Sequence, residues 1–232
     1  MASNIHDERP MLGVTQEIFF AGDDVRLAGQ IDYPDGKTPH TGYPLIFIIQ
    51  HATCTSRKNQ AHYAQLGMSA GAAVFRWDKR GTGSSGSSGQ GSAANDVLYA
   101  YEKALSLPSI NPNRAVIIAQ NEGTLAVGEM YQQFAEIKRP LGVVLAGNML
   151  DEKAIIAIDV PVHCVVSKND WNAWQTYAED AAEAHAAKYN YTASYYVATN
   201  TDRRLMYTSG ATFHRGAASS ITHWLEHTCQ IS

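Results

Sequence analysis

The sequence predicts an α/β protein, with a mainly parallel sheet, helices on both faces and an antiparallel hairpin at its start. Three observations carry that expectation. Short apolar runs alternate with helix-length segments through most of the 232 residues, the signature of βαβ units. Two of the runs, PLIFIIQ (44–50) and AVIIA (115–119), are continuously apolar, as strands covered on both faces are. The first two strand-like segments are separated by only Ala21-Gly22-Asp23-Asp24, which is hairpin spacing.

Taken in order, residues 14–20 and 25–33 are β-rich and form that hairpin. A polar, proline-bearing loop (34–43) leads to the strand at 44–50. Residues 57–70 have helical character and 72–77 form the next strand. DKRGTGSSGSSGQGS (78–92) is the one low-complexity stretch. It lies between a buried strand and a helix at 93–107, so a solvent-facing loop is expected rather than a linker. A strand at 115–119, a helix at 122–137, strands at 141–146 and 162–167 and a helix at 171–188 follow. Residues 191–209 are ambiguous, with strand-like pieces at 193–197 and 205–207. An amphipathic helix at 216–228 closes the chain. The segment 147–161 is too short for a large cap domain. The expected organisation is an N-terminal arm (1–13) and a single domain (14–232).

An apolar fraction of 45% and a charged fraction of 17% describe an ordinary soluble globular protein. The net charge of -4 argues against nucleic acid or an anionic membrane as partner. No apolar run approaches a bilayer span, and MASNIHDERPMLG has acids and a proline where an export signal has an apolar core. A cytoplasmic location is therefore expected. Cys54, Cys164 and Cys229 are an odd, sparse set that suits reduced thiols better than a disulfide framework. His223-Trp224-Leu225-Glu226-His227 matches an inverted zinc pattern, but no third ligand accompanies it and a solvated helix face explains it better, so no metal is expected. The Gly/Ser loop at 81–92 lacks the ending of a P-loop, and no dinucleotide fingerprint is present, so no cofactor is expected. A small molecule is the expected partner, and a homodimer the default assembly.

The chemistry concentrates in AVIIAQNEGTLAVGEM (115–130). A buried strand, a sharp turn and a helix follow one another, with small residues at Ala119 and Gly123 that let strand and helix approach closely. The residue at the tip of such a turn is pushed toward a left-handed backbone, which asparagine tolerates well. A plain strand–helix turn has the same local composition, so other segments must decide. Gln50-His51-Ala52-Thr53-Cys54-Thr55-Ser56-Arg57 follows the third strand, and Asp78-Lys79-Arg80-Gly81-Thr82-Gly83-Ser84-Ser85 follows the fourth. With the GDD hairpin and VRLAGQIDYP, these resemble the oxyanion loop, the D-x-R-G-x-G-x-S loop and the opening strands of the α/β-hydrolase superfamily. The likeness is to its small, lidless serine-hydrolase and dienelactone-hydrolase-like members, over roughly residues 14–228.

The resemblance implies an eight-stranded, mostly parallel sheet without a cap, and it implies roles by position. Asn121 stands where the nucleophile belongs. Asp170, after the strand at 162–167, stands where the acid belongs, with Asp151 as a weaker candidate. His214, before the last helix, fits the histidine slot. Backbone amides of Thr53 and Glu122 would form an oxyanion hole; His51, Cys54 and Trp171 would lie at the substrate. Asp170 could equally cap the helix after it, and His214 could be an ordinary loop histidine.

An amide is not a nucleophile, and losing the nucleophile of a triad removes on the order of a million-fold in turnover. Three readings follow. In the leading one, His214 held by Asp170 acts as general acid or base on a small carbonyl or ester-type molecule, without a covalent intermediate: hydrolysis through water, elimination, isomerisation or cyclisation. In another, the chain is a disabled hydrolase that binds a small molecule. In the third, Asn121 is an engineered replacement of a serine or aspartate.

Overall fold

The computed structural model describes residues 13–50, 56–170, 174–191, 193–210, 212–228 and 230–231. Its strands are β1 (Val14–Ala21), β2 (Arg26–Tyr33), β3 (Tyr43–Ile49), β4 (Ala73–Asp78), β5 (Ile110–Gln120), β6 (Gly142–Ala146), β7 (Val162–Ser167) and β8 (Ala193–Ala198). The helices are α1 (Ala61–Ser69), α2 (Ala93–Leu105), α3 (Glu122–Lys138), α4 (Glu152–Ile156), α5 (Trp174–Tyr189) and α6 (Arg215–His227). All eight strands join one sheet in the order β1-β2-β4-β3-β5-β6-β7-β8. The β1–β2 and β2–β4 pairs are antiparallel and the remaining five parallel. This is the mainly parallel sheet with a leading hairpin that the apolar runs predict.

The pleat explains why those runs are continuous. In β3, Leu45, Phe47 and Ile49 pack into one core while Ile46 and Ile48 pack into the other. In β5, Ile117 and Ala119 face the first core and Val116 and Ile118 the second. Alternate side chains leave opposite faces, so a strand covered on both sides has no polar position to spare. The first core holds Tyr101 of α2, Phe134 of α3 and Ala178 of α5. The second holds Tyr63 of α1 and Ile221, Trp224 and Leu225 of α6. His163 of β7 pins α6 to the sheet: its ring nitrogens lie 2.8 Å from Ser194 Oγ and 2.9 Å from Ser220 Oγ, and burial pushes its pKa down to about 4.

Besides the earlier start of β5, at Ile110, three elements differ from the sequence-based expectation, and the loop at 78–92 is solvent-facing as expected but anchored. The helix at 57–70 begins as a 3-10 turn, Arg57–Gln60, before α1. A short helix, α4, stands in the segment 147–161. Its five residues are too few for periodicity to show. Residues 205–207 form isolated bridges, Thr201 with Tyr207 and Met206 with Phe213, rather than a strand. The Gly/Ser loop at 78–92 is pinned to the body. Asp78, buried at the end of β4, accepts hydrogen bonds from Arg57 N (2.7 Å), Arg57 Nη1 (2.9 Å) and Ser84 N (3.0 Å). Arg80 grips both oxygens of Asp96 and the carbonyls of Gly91 and Asp23. Low local complexity does not reveal partners that are distant in sequence.

Cys164 is a buried free thiol, pushed up to about 12 by burial; Cys54 and Cys229 lie outside the described residues. No helix among the described residues is long and apolar enough to cross a membrane, and none of those residues form a group of three metal-ligating side chains.

Candidate functional site

The carboxyl ends of β5, β6, β7 and β8 lie side by side, because those strands are parallel neighbours in register. Whatever follows each strand is brought to one sheet edge, where open α/β sheets place their ligands. Asn121 follows β5, Gly147 follows β6, Asn169 and Asp170 follow β7, and Asp202, Arg203 and Arg204 follow β8.

The turn after β5 has the backbone the sequence predicts. Asn121 sits at φ 49°, ψ −117°, a sparsely populated conformation for any residue with a side chain. It is held there from both sides. Its N–H donates to Ala146 O (2.9 Å), and its carbonyl accepts from Thr124 N (2.8 Å) and Thr124 Oγ1 (2.6 Å). Gly123 permits the approach of α3 to β3: a Cβ there would come within 2.5 Å of Ile49 O. Gly147 is required twice over. Its φ is +67°, and a Cβ on it would collide with Asn121 Oδ1 and with the main-chain oxygen of Arg203.

The Asn121 side chain is therefore packed against the loop that follows β8. The residue is 1% exposed, and its Oδ1 is buried without a hydrogen-bond partner among the described residues. A buried orphan acceptor costs about 1–3 kcal/mol, and here it adds to the cost of the strained turn.

Asp170 lies beside it in the cleft and is paired with an arginine. Its two oxygens are gripped by Arg203, Nε to Oδ2 at 2.7 Å and Nη2 to Oδ1 at 2.9 Å. The carboxylate is nearly buried and the guanidinium mostly so. This planar two-point pairing is the strongest form of the Arg–carboxylate bond. It holds the guanidinium further into its charged form: the hydrogen bonds to Asp170 contribute most, burial opposes, and the fields of Asp170 and Glu122 add to the effect. Arg204 pairs with a single oxygen of Asp202: Nε and Nη2 both donate to Oδ2, at 2.9 and 2.7 Å.

His214 is elsewhere. It caps α6, with Nδ1 accepting from Ala217 N at 3.0 Å, and its ring lies against Tyr207 (4.8 Å between centroids) and Tyr196 (6.2 Å). A histidine that serves as base through Nε2 needs its Nδ1 proton held by the acid. Here Nδ1 is an acceptor, so it carries no proton and Nε2 does. Asp170 and His214 thus do not form the pair that the resemblance implies. Asp151, the weaker candidate acid, caps α4 by accepting from Ala154 N at 2.9 Å.

Asn121, Glu122, Asn169, Asp170, Asp202, Arg203 and Arg204 line a cleft of about 410 Å³. The structure brings together three of the sequence-predicted residues, Asn121, Glu122 and Asp170, and leaves His214 outside. His51, Thr53, Cys54 and Trp171 lie outside the described residues. Every described lining residue is polar or charged. A larger groove of about 640 Å³ lies along the β1–β2 hairpin, at the far sheet edge. It is lined by the hairpin and Ser88 and lies away from the parallel strands β5 to β8, so the smaller cleft at their carboxyl ends is the candidate site.

The residue that sequence reasoning missed is Arg203. Its signal is positional: it lies in the loop between the last strand and the last helix, where a histidine is sought. The search for a histidine passed over Asp202-Arg203-Arg204 and stopped at His214.

No protein-family model matches the chain, and no curated protein does. Solved structures do. A dienelactone hydrolase from Anabaena variabilis superposes with a TM-score of 0.67 at 17% identity, over 93% of this chain and 98% of its own. An esterase from Pyrococcus furiosus gives 0.69 at 12% identity, over 94% and 92%. A protein of unknown function from Agrobacterium tumefaciens, assigned to the α/β hydrolases, gives 0.70 at 14%, over 91% and 95%. The chain has the α/β-hydrolase fold, with no cap domain among the described residues. At these identities the likeness is one of fold and carries no activity with it.

Proposed function

We propose that the chain is a small-molecule-binding protein built on the α/β-hydrolase fold, in which the three triad positions are held by Asn121, Asp170 and Arg203. The single observation that carries this is the bidentate Arg203–Asp170 pair beside the strained Asn121 turn. Arg203 sits where the fold brings a base against the acid. Arginine does not deprotonate in proteins, and an asparagine amide does not attack a carbonyl. Among the described residues that line the cleft, none can perform the proton-transfer step or the covalent step of a serine hydrolase. What persists is a polar cleft at the ligand-binding edge of the sheet, of a size that suits a small molecule.

The reading in which His214 and Asp170 act together as general acid and base is disfavoured by the occupied Nδ1 of His214 and by the guanidinium on Asp170. The test is direct. The purified chain should hydrolyse a generic aryl ester no faster than buffer, while small polar ligands perturb the amide resonances of Asn121 and Gly147. Ester turnover that disappears on Asp170→Asn or His214→Gln would overturn the proposal.

A further inference from the structure

We infer that the last turn of α6 carries a two-histidine site for a first-row divalent transition ion, with His223 and His227 as its protein ligands. Three observations carry it. The first is that the fold brings the two rings together. His223 and His227 lie four residues apart on α6, so their side chains leave the same helix face one turn apart. Both residues are exposed. Their ring centroids are 4.0 Å apart, with 28° between the planes. Two imidazole nitrogens on one ion stand about 3 Å apart, so small side-chain rotations in solvent let the pair chelate.

The second observation is the tautomer. His227 Nδ1 lies 2.9 Å from His223 O. A carbonyl only accepts, so Nδ1 carries the ring proton of the neutral histidine and Nε2 keeps the lone pair that a metal takes. A backbone carbonyl on the other ring nitrogen is a common way of orienting a metal-binding histidine. The third is position. His227 is the final residue of α6, where the last carbonyls and the helix dipole favour a cation. Among the described residues no third side chain joins the pair, so water fills the remaining positions. Two neutral imidazoles select zinc, nickel or copper over magnesium or calcium. None of the cleft residues takes part.

The experiment titrates Ni2+, with Mg2+ as control, into the full chain and follows the amide resonances of α6. Ni2+ at micromolar to millimolar concentration should broaden the resonances of residues 223–227 selectively, and Mg2+ should leave them unchanged. His223→Ala and His227→Ala, both at exposed positions, should keep the parent's circular dichroism, and each should weaken Ni2+ binding by about tenfold or more. The double variant should lose much less than the sum of the two, since a chelate needs both rings. Broadening centred on other histidines, an equal response to Mg2+, unchanged affinity in either single variant, or no broadening at millimolar Ni2+ overturns the inference.

Discussion

Two regions at the carboxyl edge of the sheet differ in how their charged groups are used. The loop after β4 matches the D-x-R-G-x-G-x-S pattern in full, and its charged groups are paired. Asp78 accepts three N–H groups, and Gly83, at φ +52°, leaves room for its carboxylate. Ser85 Oγ donates to Asp78 O at 2.6 Å. The corner formed after β5, β7 and β8 keeps the backbone of a reactive turn but carries Asn121, Asp170 and Arg203, with a strained φ and an orphan oxygen. The first loop is architecture: its aspartate and arginine tie the hairpin, the turn before α1 and α2 to the sheet. The second is the corner proposed to bind a small molecule. The most specific motif in a sequence can thus report the scaffold and say nothing of the reaction.

Breaking each loop separately sharpens that contrast. Asp78→Ala removes the buried carboxylate that accepts Arg57 N, Arg57 Nη1 and Ser84 N, and leaves Arg57, only 12% exposed in its side chain, with Glu17 as its remaining carboxylate partner. It should cost about 3–5 kcal/mol in urea denaturation, the largest effect expected; a loss under about 1 kcal/mol would show that the loop is not structural. Arg203→Met removes the partner of Asp170 at a site reached by more solvent. It should cost about 2 kcal/mol, below the range for fully buried pairs, and should also weaken the response of the Asn121 and Gly147 amide resonances to small polar ligands. Equal losses from the two variants would erase the distinction drawn between architecture and binding corner.

The sheet was legible because two-sided burial demands uninterrupted apolar runs, and PLIFIIQ and AVIIA have no other explanation. The turn at Asn121 was legible because the spacing of Ala119 and Gly123 around it is local. Arg203 was not, since its pairing with Asp170 depends on the register of β7 against β8, and a register between separated segments leaves no local trace. His214 was misplaced for the complementary reason: a histidine before the last helix satisfies a pattern, while its use as a helix cap depends on where Ala217 N points. α4 and the anchored Gly/Ser loop escaped notice because five residues are too short for a period and because Asp78 finds its partners across the fold.

The central claim, that Arg203 and not His214 stands beside the acid and the turn, is tested most directly by aryl-ester hydrolysis in three variants. Asn121→Ser alone should remain at the rate of buffer, since its hydroxyl faces a guanidinium-locked acid. Asn121→Ser with Arg203→His should gain hydrolysis, because nucleophile, base and acid then meet at one corner. Hydrolysis by Asn121→Ser alone that is lost on adding His214→Gln would contradict the account and return His214 to the site.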